Sequence, residues 1–317
     1  MNVDPPGLDL TRLAAYLEDQ GLTRGPLTAE LITGGKSNLT YVVRDATAEY
    51  VVRRPPLGHV LATAHDMGRE YRVMTALRDT PVPVPRTYHL CTDPEVIGAP
   101  FYVMEHVAGE RPPMTPALAH ELIDVLAALH SIPPESVGLA DFGRPDGYLE
   151  RQVRRWKKQL DASRSRDIPG IDELFQRLSR DIPRSGAPAI VHGDFKLGNT
   201  LIAGGKVRAV LDWEMSTLGD PLTDLALFLL YGDEAIDLDS EEKGEMANPE
   251  EIVAHYAEAT GRDVSRLGWY LGLACFKLAV IAEGIHFRYT QGLTVGEGFA
   301  EIGEHVGRLV ARGLTEV

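Results

Sequence analysis

The chain has 317 residues, 44% hydrophobic and 25% charged, which suits one large globular domain or two lobes. Its formal net charge of −14 argues against nucleic acid or an anionic membrane as the main partner, because both need a positive surface. The two cysteines, Cys91 and Cys275, stand in no metal-ligand spacing and cannot build a disulfide framework, so a reducing, cytoplasmic compartment is expected.

Apolar periodicity predicts a helix over 9–20, with Leu10, Leu13, Ala14 and Leu17 on one face and Gly21 ending it. Strand-like runs follow at 31–32, 41–43 and 50–52, with the pair Gly34–Gly35 between the first two. A helix over 62–77 stops at the prolines 81, 83 and 85, and two more strands are expected near 86–90 and 101–105. Together they predict a β-rich first lobe over residues 1–107.

From 108 to 317 the pattern is mainly helical, with helices expected at 116–130, 148–162, 171–180, 221–231, 249–260, 265–289 and 296–312. Two short apolar runs, 189–191 and 207–211, read as buried strands. The most apolar stretch, 268–287, carries Lys277 and Glu283 and reads as a buried helix, not a membrane span. Residues 1–9 are polar and give no signal region. The run 233–245 holds seven acids against one lysine and reads as a solvated loop.

Residues 190–199 read Ile-Val-His-Gly-Asp-Phe-Lys-Leu-Gly-Asn, so a buried strand delivers His192, Asp194, Lys196 and Asn199 into one short loop. Thirteen residues after Asn199, Asp212 ends the next apolar run. Phosphoryl transfer needs a carboxylate for the incoming hydroxyl, hard oxygen ligands for Mg²⁺ and a cation for the moving phosphoryl. Asp194, the pair Asn199 and Asp212, and Lys196 supply these groups.

This His-Gly-Asp-x-Lys-x-x-Asn motif with its later Asp-Trp-Glu resembles the catalytic loop and metal aspartate of the protein-kinase fold. It is most similar to the aminoglycoside phosphotransferase and choline kinase branch, and within that branch to a subgroup fused to acyl-CoA dehydrogenases in animals. The resemblance implies a bilobal α+β protein-kinase-like fold with ATP (or GTP) and Mg²⁺ in its cleft. The Gly-rich turn (Gly34, Gly35, Ser37, Asn38) would then approach the phosphates through backbone N–H groups. Val51 would cover the base, and backbone groups of Glu105 and Val107 would hold its edge. Arg53 stands where most relatives carry a phosphate-binding lysine, with Glu70 as its ion-pair partner or a solvated helix carboxylate. Arg54 reads as a solvent-facing strand residue.

Asp220 is expected to cap a helix with Pro221 at its first position, and the resemblance implies that Asp224 braces the catalytic loop. His192 reads as a packing and hydrogen-bonding residue. The resemblance implies a small-molecule acceptor bearing a hydroxyl, with a hydroxyacyl compound or another metabolite among the candidates. The basic segment 151–166, including Arg151 and Arg155, favours an anionic or neutral acceptor, while the acidic run 233–245 favours a cationic one. His286 and Arg288 are further acceptor-side candidates. Two rival readings are an inactive nucleotide-binding module and a metal-dependent hydrolase using His192, Asp194 and Asp212; the oligomeric state is left open.

Overall fold

The computed structural model describes residues 4–32, 38–57, 66–233, 236, 244–292 and 302–317. The chain divides into two compact units, Met1–Glu110 with Thr200–Ser216, and Arg111–Asn199 with Thr217–Val317.

In the first unit, short β-branched runs form β1 (Thr28–Leu31), β2 (Leu39–Arg44), β3 (Glu49–Arg54), β4 (Thr87–Cys91) and β5 (Phe101–Glu105). They pair as an antiparallel five-stranded sheet in the order β1-β2-β3-β5-β4. Alternation sends Tyr41, Val43, Val52 and Val103 into a core with Leu13 and Leu17 of helix α1 (Leu10–Asp19). The Asp9 carboxylate accepts the Arg12 N–H and caps that helix. Helix α2 (Met67–Leu77), capped by Asp66, buries Glu70, Val73, Met74 and Leu77. The remainder of the helix expected over 62–77 lies outside the described residues.

The hairpin β7 (Thr200–Ala203) and β8 (Lys206–Val210) also belongs to this unit. Glu110 and Ile202 exchange two backbone hydrogen bonds of 2.9 Å, and the Val210 N–H donates to the Pro83 carbonyl at 2.8 Å. At Gly109 a Cβ would stand 2.8 Å from the Leu201 Cβ, so glycine is required for that approach. Trp213, in the 3₁₀ turn Trp213–Met215, is fully buried and donates its indole N–H to the Val210 carbonyl. The first compact unit thus runs to Glu110 and takes in residues 200–216, which these backbone bonds join to it.

The second unit holds α3 (Pro116–Ser131), α4 (Tyr148–Ser163), α5 (Ile171–Arg180), α6 (Leu222–Tyr231), α7 (Pro249–Thr260), α8 (Leu267–Thr290) and α9 (Ile302–Glu316). Strands β6 (Ala189–Val191) and β9 (Thr217–Gly219) pair antiparallel, Val191 opposite Thr217. Helix α8 is long and apolar enough to cross a membrane, yet 72% of its most apolar window is buried inside the protein. It packs against α4, α5, α6 and α9 as the core helix of this unit. Helix α6 starts one residue later than expected: Pro221 is its cap residue, and the Asp220 carboxylate accepts the Leu222 N–H at 3.1 Å and the Tyr270 hydroxyl at 2.8 Å. The acidic run expected as a loop lies largely outside the described residues, as does the start of the helix expected over 296–312.

Arg54 corrects the sequence reading. It is only 5% exposed, and its guanidinium donates to the carbonyls of Gly7, Pro55 and Ile97. The N-terminal segment, through the Gly7 carbonyl, covers the end of β3, which alternation alone leaves open. Arg54→Met should therefore cost about 2–3 kcal/mol, since buried carbonyls lose charge-assisted bonds, whereas a solvent-facing arginine would cost under about 0.5. Urea unfolding measures the difference.

Candidate active site

In the second unit, β6 carries the chain into the turn His192–Gly193–Asp194. Asp224, in the first turn of α6, is fully buried and accepts the His192 N–H at 2.6 Å and the Gly193 N–H at 2.8 Å. Its second neighbour, His130 on α3, lies 3.3 Å away through Nε2, while His130 Nδ1 meets the Tyr256 hydroxyl at 2.8 Å. Burial pushes the His130 imidazole down, so it is neutral and donates to Asp224 through a hydrogen bond. Burial alone would push the Asp224 carboxyl up, but His130, His192 and the Gly193 amide hold it below its ordinary value.

Gly193 has φ +87°, a left-handed conformation that suits glycine, and the Asp194 N–H returns to His192 Nδ1 at 3.2 Å. The Asp194 carboxylate accepts the Tyr231 hydroxyl at 2.6 Å and the Asn199 amide at 3.0 Å. Burial opposes its charge, but Lys196, Lys277 and the Tyr231 hydroxyl outweigh it and lower the pKa. Lys196 Nζ lies 4.7 Å from the centre of the Tyr231 ring, a cation–π contact that places its charge in the same group. Asn199 gives its amide nitrogen to Asp194, also donating to the Asp194 carbonyl at 2.8 Å, so its oxygen is the end that can face a cation.

A pocket beside this turn is lined by Tyr148, Gln152 and Trp156 of α4, by Gly193, by Leu227, and by Lys277 of α8. Its space for water-sized occupants is about 30 Å³, enough for a small group but not for a whole metabolite. Arg155 stacks its guanidinium 5.4 Å from the Trp156 ring centre, and Arg151 spends its guanidinium on the carbonyls of Arg144 and Asp146. His286 sits against Gly303 of α9, and neither it nor Arg288 lines the pocket. In the same basic segment, Arg166 pairs with the fully buried Glu283 at 3.1 Å.

In the first unit, Arg53 lies between two carboxylates, 3.1 Å from Glu70 and 2.6 Å from Asp212. Glu70 is 1% exposed and also accepts the Tyr102 hydroxyl at 3.0 Å and the Asn38 amide at 3.1 Å; it is an ion-pair partner, not a solvated carboxylate. The Asn38 amide also donates to Glu214 at 3.2 Å. Asp212 is the one non-glycine residue among those described with positive φ, +64°, where aspartate is better tolerated than most side chains. Val51 is buried opposite Val42 and Met104, whereas the Glu105 N–H and carboxylate are both engaged with Arg86. Val107 lies just beyond the end of β5. Gly34, Gly35 and Ser37 lie outside the described residues.

Among the described residues no three His, Cys, Asp or Glu side chains form a metal cluster. The Asp212 carboxylate in the first unit and the Asn199 amide oxygen in the second are each the kind of hard oxygen donor that Mg²⁺ takes. Sequence reading missed Tyr231, Lys277, Tyr102 and His130. Only Lys277 carried a usable signal, as a lone cation inside an apolar helix.

Because folding lowers the Asp224 pKa, its stabilisation is complete above the ordinary carboxylate range and is lost as the pH falls through the lowered value. Asp224→Asn should cost about 3 kcal/mol at neutral pH, by leaving buried amides facing an NH₂ group. The gap from wild type should narrow on acidification, as read by denaturant titrations at several pH values.

The chain matches the model of a phosphotransferase enzyme family over residues 28–270. It is 37% identical to acyl-CoA dehydrogenase family member 11 of Gallus gallus, over 92% of this chain and 40% of that protein. It is 34% identical to acyl-CoA dehydrogenase family member 10 of Mus musculus, over 84% of this chain and 27% of that one. The chain thus spans two fifths or less of these relatives' length. A solved structure described as a candidate aminoglycoside phosphotransferase from Ralstonia eutropha superposes with a TM-score of 0.84 at 31% identity, covering 97% of this chain and 98% of that one. A spectinomycin phosphotransferase solved with ADP and spectinomycin shares the fold, with a TM-score of 0.64 at 13% identity, over 98% of this chain and 99% of that one. With three quarters of its length under the family model and this whole-chain likeness, the protein belongs to the phosphotransferase enzyme family.

Proposed function

We propose that this phosphotransferase moves the γ-phosphoryl group of ATP, or of GTP, to a hydroxyl of a small molecule in the presence of Mg²⁺. The observation that carries the reading is the Asp194 carboxylate, kept ionised beside Lys196 and aimed by Tyr231 and Asn199. Asp194 accepts a hydrogen bond from the acceptor hydroxyl and takes its proton as the oxygen bonds to the γ-phosphorus. The bond from that phosphorus to the β–γ bridging oxygen breaks, and the nucleoside diphosphate leaves with the electron pair. Lys196 offers positive charge to the phosphoryl oxygens, and Arg53 binds the remaining nucleotide phosphates. Asn199 and Asp212 would hold Mg²⁺, which when bound neutralises the polyphosphate.

The acceptor is proposed to be anionic or neutral, with a hydroxyacyl compound as the leading class. Support comes from the basic 151–166 segment, from Arg155 stacked on a ring that lines the pocket, and from relatives that are named acyl-CoA dehydrogenases. A cytoplasmic setting fits the two buried thiols; burial pushes that of Cys275 up to about 12.

Asp194→Asn should lower turnover by about two to four orders of magnitude with little change in ATP affinity, whereas Asp212→Ala should abolish Mg²⁺-dependent nucleotide binding. Coupled assays and titration calorimetry separate the two, and near-normal turnover in Asp194→Asn would sink the reading. In a coupled ATP-consumption screen, hydroxyacyl compounds should be phosphorylated in preference to polycationic aminoglycosides. Efficient use of a kanamycin-like polycation would overturn that preference.

A further inference from the structure

Lys277 sits in the middle of α8, a helix whose neighbouring positions Leu273, Ala274, Phe276, Leu278 and Val280 are buried, where a cation is costly unless it is compensated. Its ammonium donates to the Gly193 carbonyl at 2.7 Å and lies 5.8 Å from the centre of the Trp156 ring. The Gly193–Asp194 peptide is therefore held from both sides, its carbonyl by Lys277 and its N–H by His192 Nδ1. One residue earlier, Asp224 holds the Gly193 N–H. With Gly193 at φ +87° there is no side chain to restrict this peptide, so its orientation depends on those bonds. Rotating it would swing the Asp194 carboxylate away from Tyr231 and Asn199.

We propose that Lys277 is a positioning residue for phosphoryl transfer, fixing the Gly193–Asp194 peptide so that the Asp194 carboxylate stays aimed at the incoming nucleophile. Burial pushes the Lys277 pKa down and prevails, while the Asp194 and Asp224 carboxylates oppose that push. Lys277 borders the small pocket of about 30 Å³ described above, so one side of its side chain faces open space. The inference rests on the phosphotransferase reading above, and its test separates the two.

The measurement is ATP hydrolysis with water as acceptor, on the full chain, for wild type, Asp194→Asn, Lys277→Met and Lys277→Arg. Mg²⁺-ATP affinity by calorimetry and the unfolding midpoint are read alongside. Lys277→Met should lose about 10- to 100-fold in turnover, with ATP affinity within twofold of wild type. Lys277→Arg, which keeps a charged donor, should recover to within about fivefold of wild type. Wild-type turnover in Lys277→Met would overturn the positioning role while the Asp194→Asn contrast still supports phosphotransfer. A loss that arginine does not restore, or one matched by lost ATP affinity or a lowered unfolding midpoint, would reduce Lys277 to a packing residue. Equal turnover in wild type and Asp194→Asn would remove the phosphotransferase reading itself.

Discussion

The Asp224 carboxylate, sunk without exposure between α3 and α6, accepts two consecutive backbone N–H groups from the turn after β6. A buried charge of this kind is tolerated only where every lone pair is used, and here amides and a neutral imidazole use them. The turn consequently has a single shape, and the groups that follow it inherit their directions from that shape. Asp194 can be both desolvated and ionised because its surroundings were fixed before any ligand arrived. The second unit is built to support this: α8 fills the core behind the turn, and α6 supplies both Asp224 at its start and Tyr231 at its end.

The first unit solves a different electrostatic problem. Arg53 and Glu70 face each other on β3 and α2, and each is too buried to stand alone. Burial pushes the Glu70 carboxyl up while Arg53 pulls it down, and burial prevails. Asp212 meets the other edge of the guanidinium at 2.6 Å. The guanidinium is thus shared by two carboxylates, and its positive charge offsets both within one unit.

The sequence was legible where periodicity and local chemistry agree. Helix α5, helix α7, strand β5 and strand β6 have the expected bounds, because apolar spacing, capping residues and flanking breakers coincide there. The turn after β6 was legible as a polar loop leaving a buried strand, and Asp194 and Asn199 do meet there. Three-dimensional pairing was not. β7 and β9 are four and three residues long, too short for a pattern; β7 is defined by its hairpin with β8, and β9 by its pairing with β6. Arg54 looked exposed because alternation says nothing about a distant N-terminal segment. Tyr231 was hidden for a similar reason: the apolar spacing of its helix explains it adequately, and only tertiary contact reveals its hydroxyl on Asp194, whereas Lys277 stood out as a charge in an apolar helix but without a visible partner.

The return of residues 200–216 to the first unit makes that unit discontinuous in the chain. During synthesis, β1 to β5 emerge long before Trp213 and Asp212, so a nascent chain stopped at Glu110 carries a sheet without its last buried indole and an Arg53–Glu70 pair without its third charge. The small unit cannot reach its final form vectorially; it must wait for α3, α4, α5 and the catalytic turn to leave the ribosome. Completion of the first unit is thereby tied to the prior appearance of the turn at residues 192–194, and a chain cut short before that turn would lack both together.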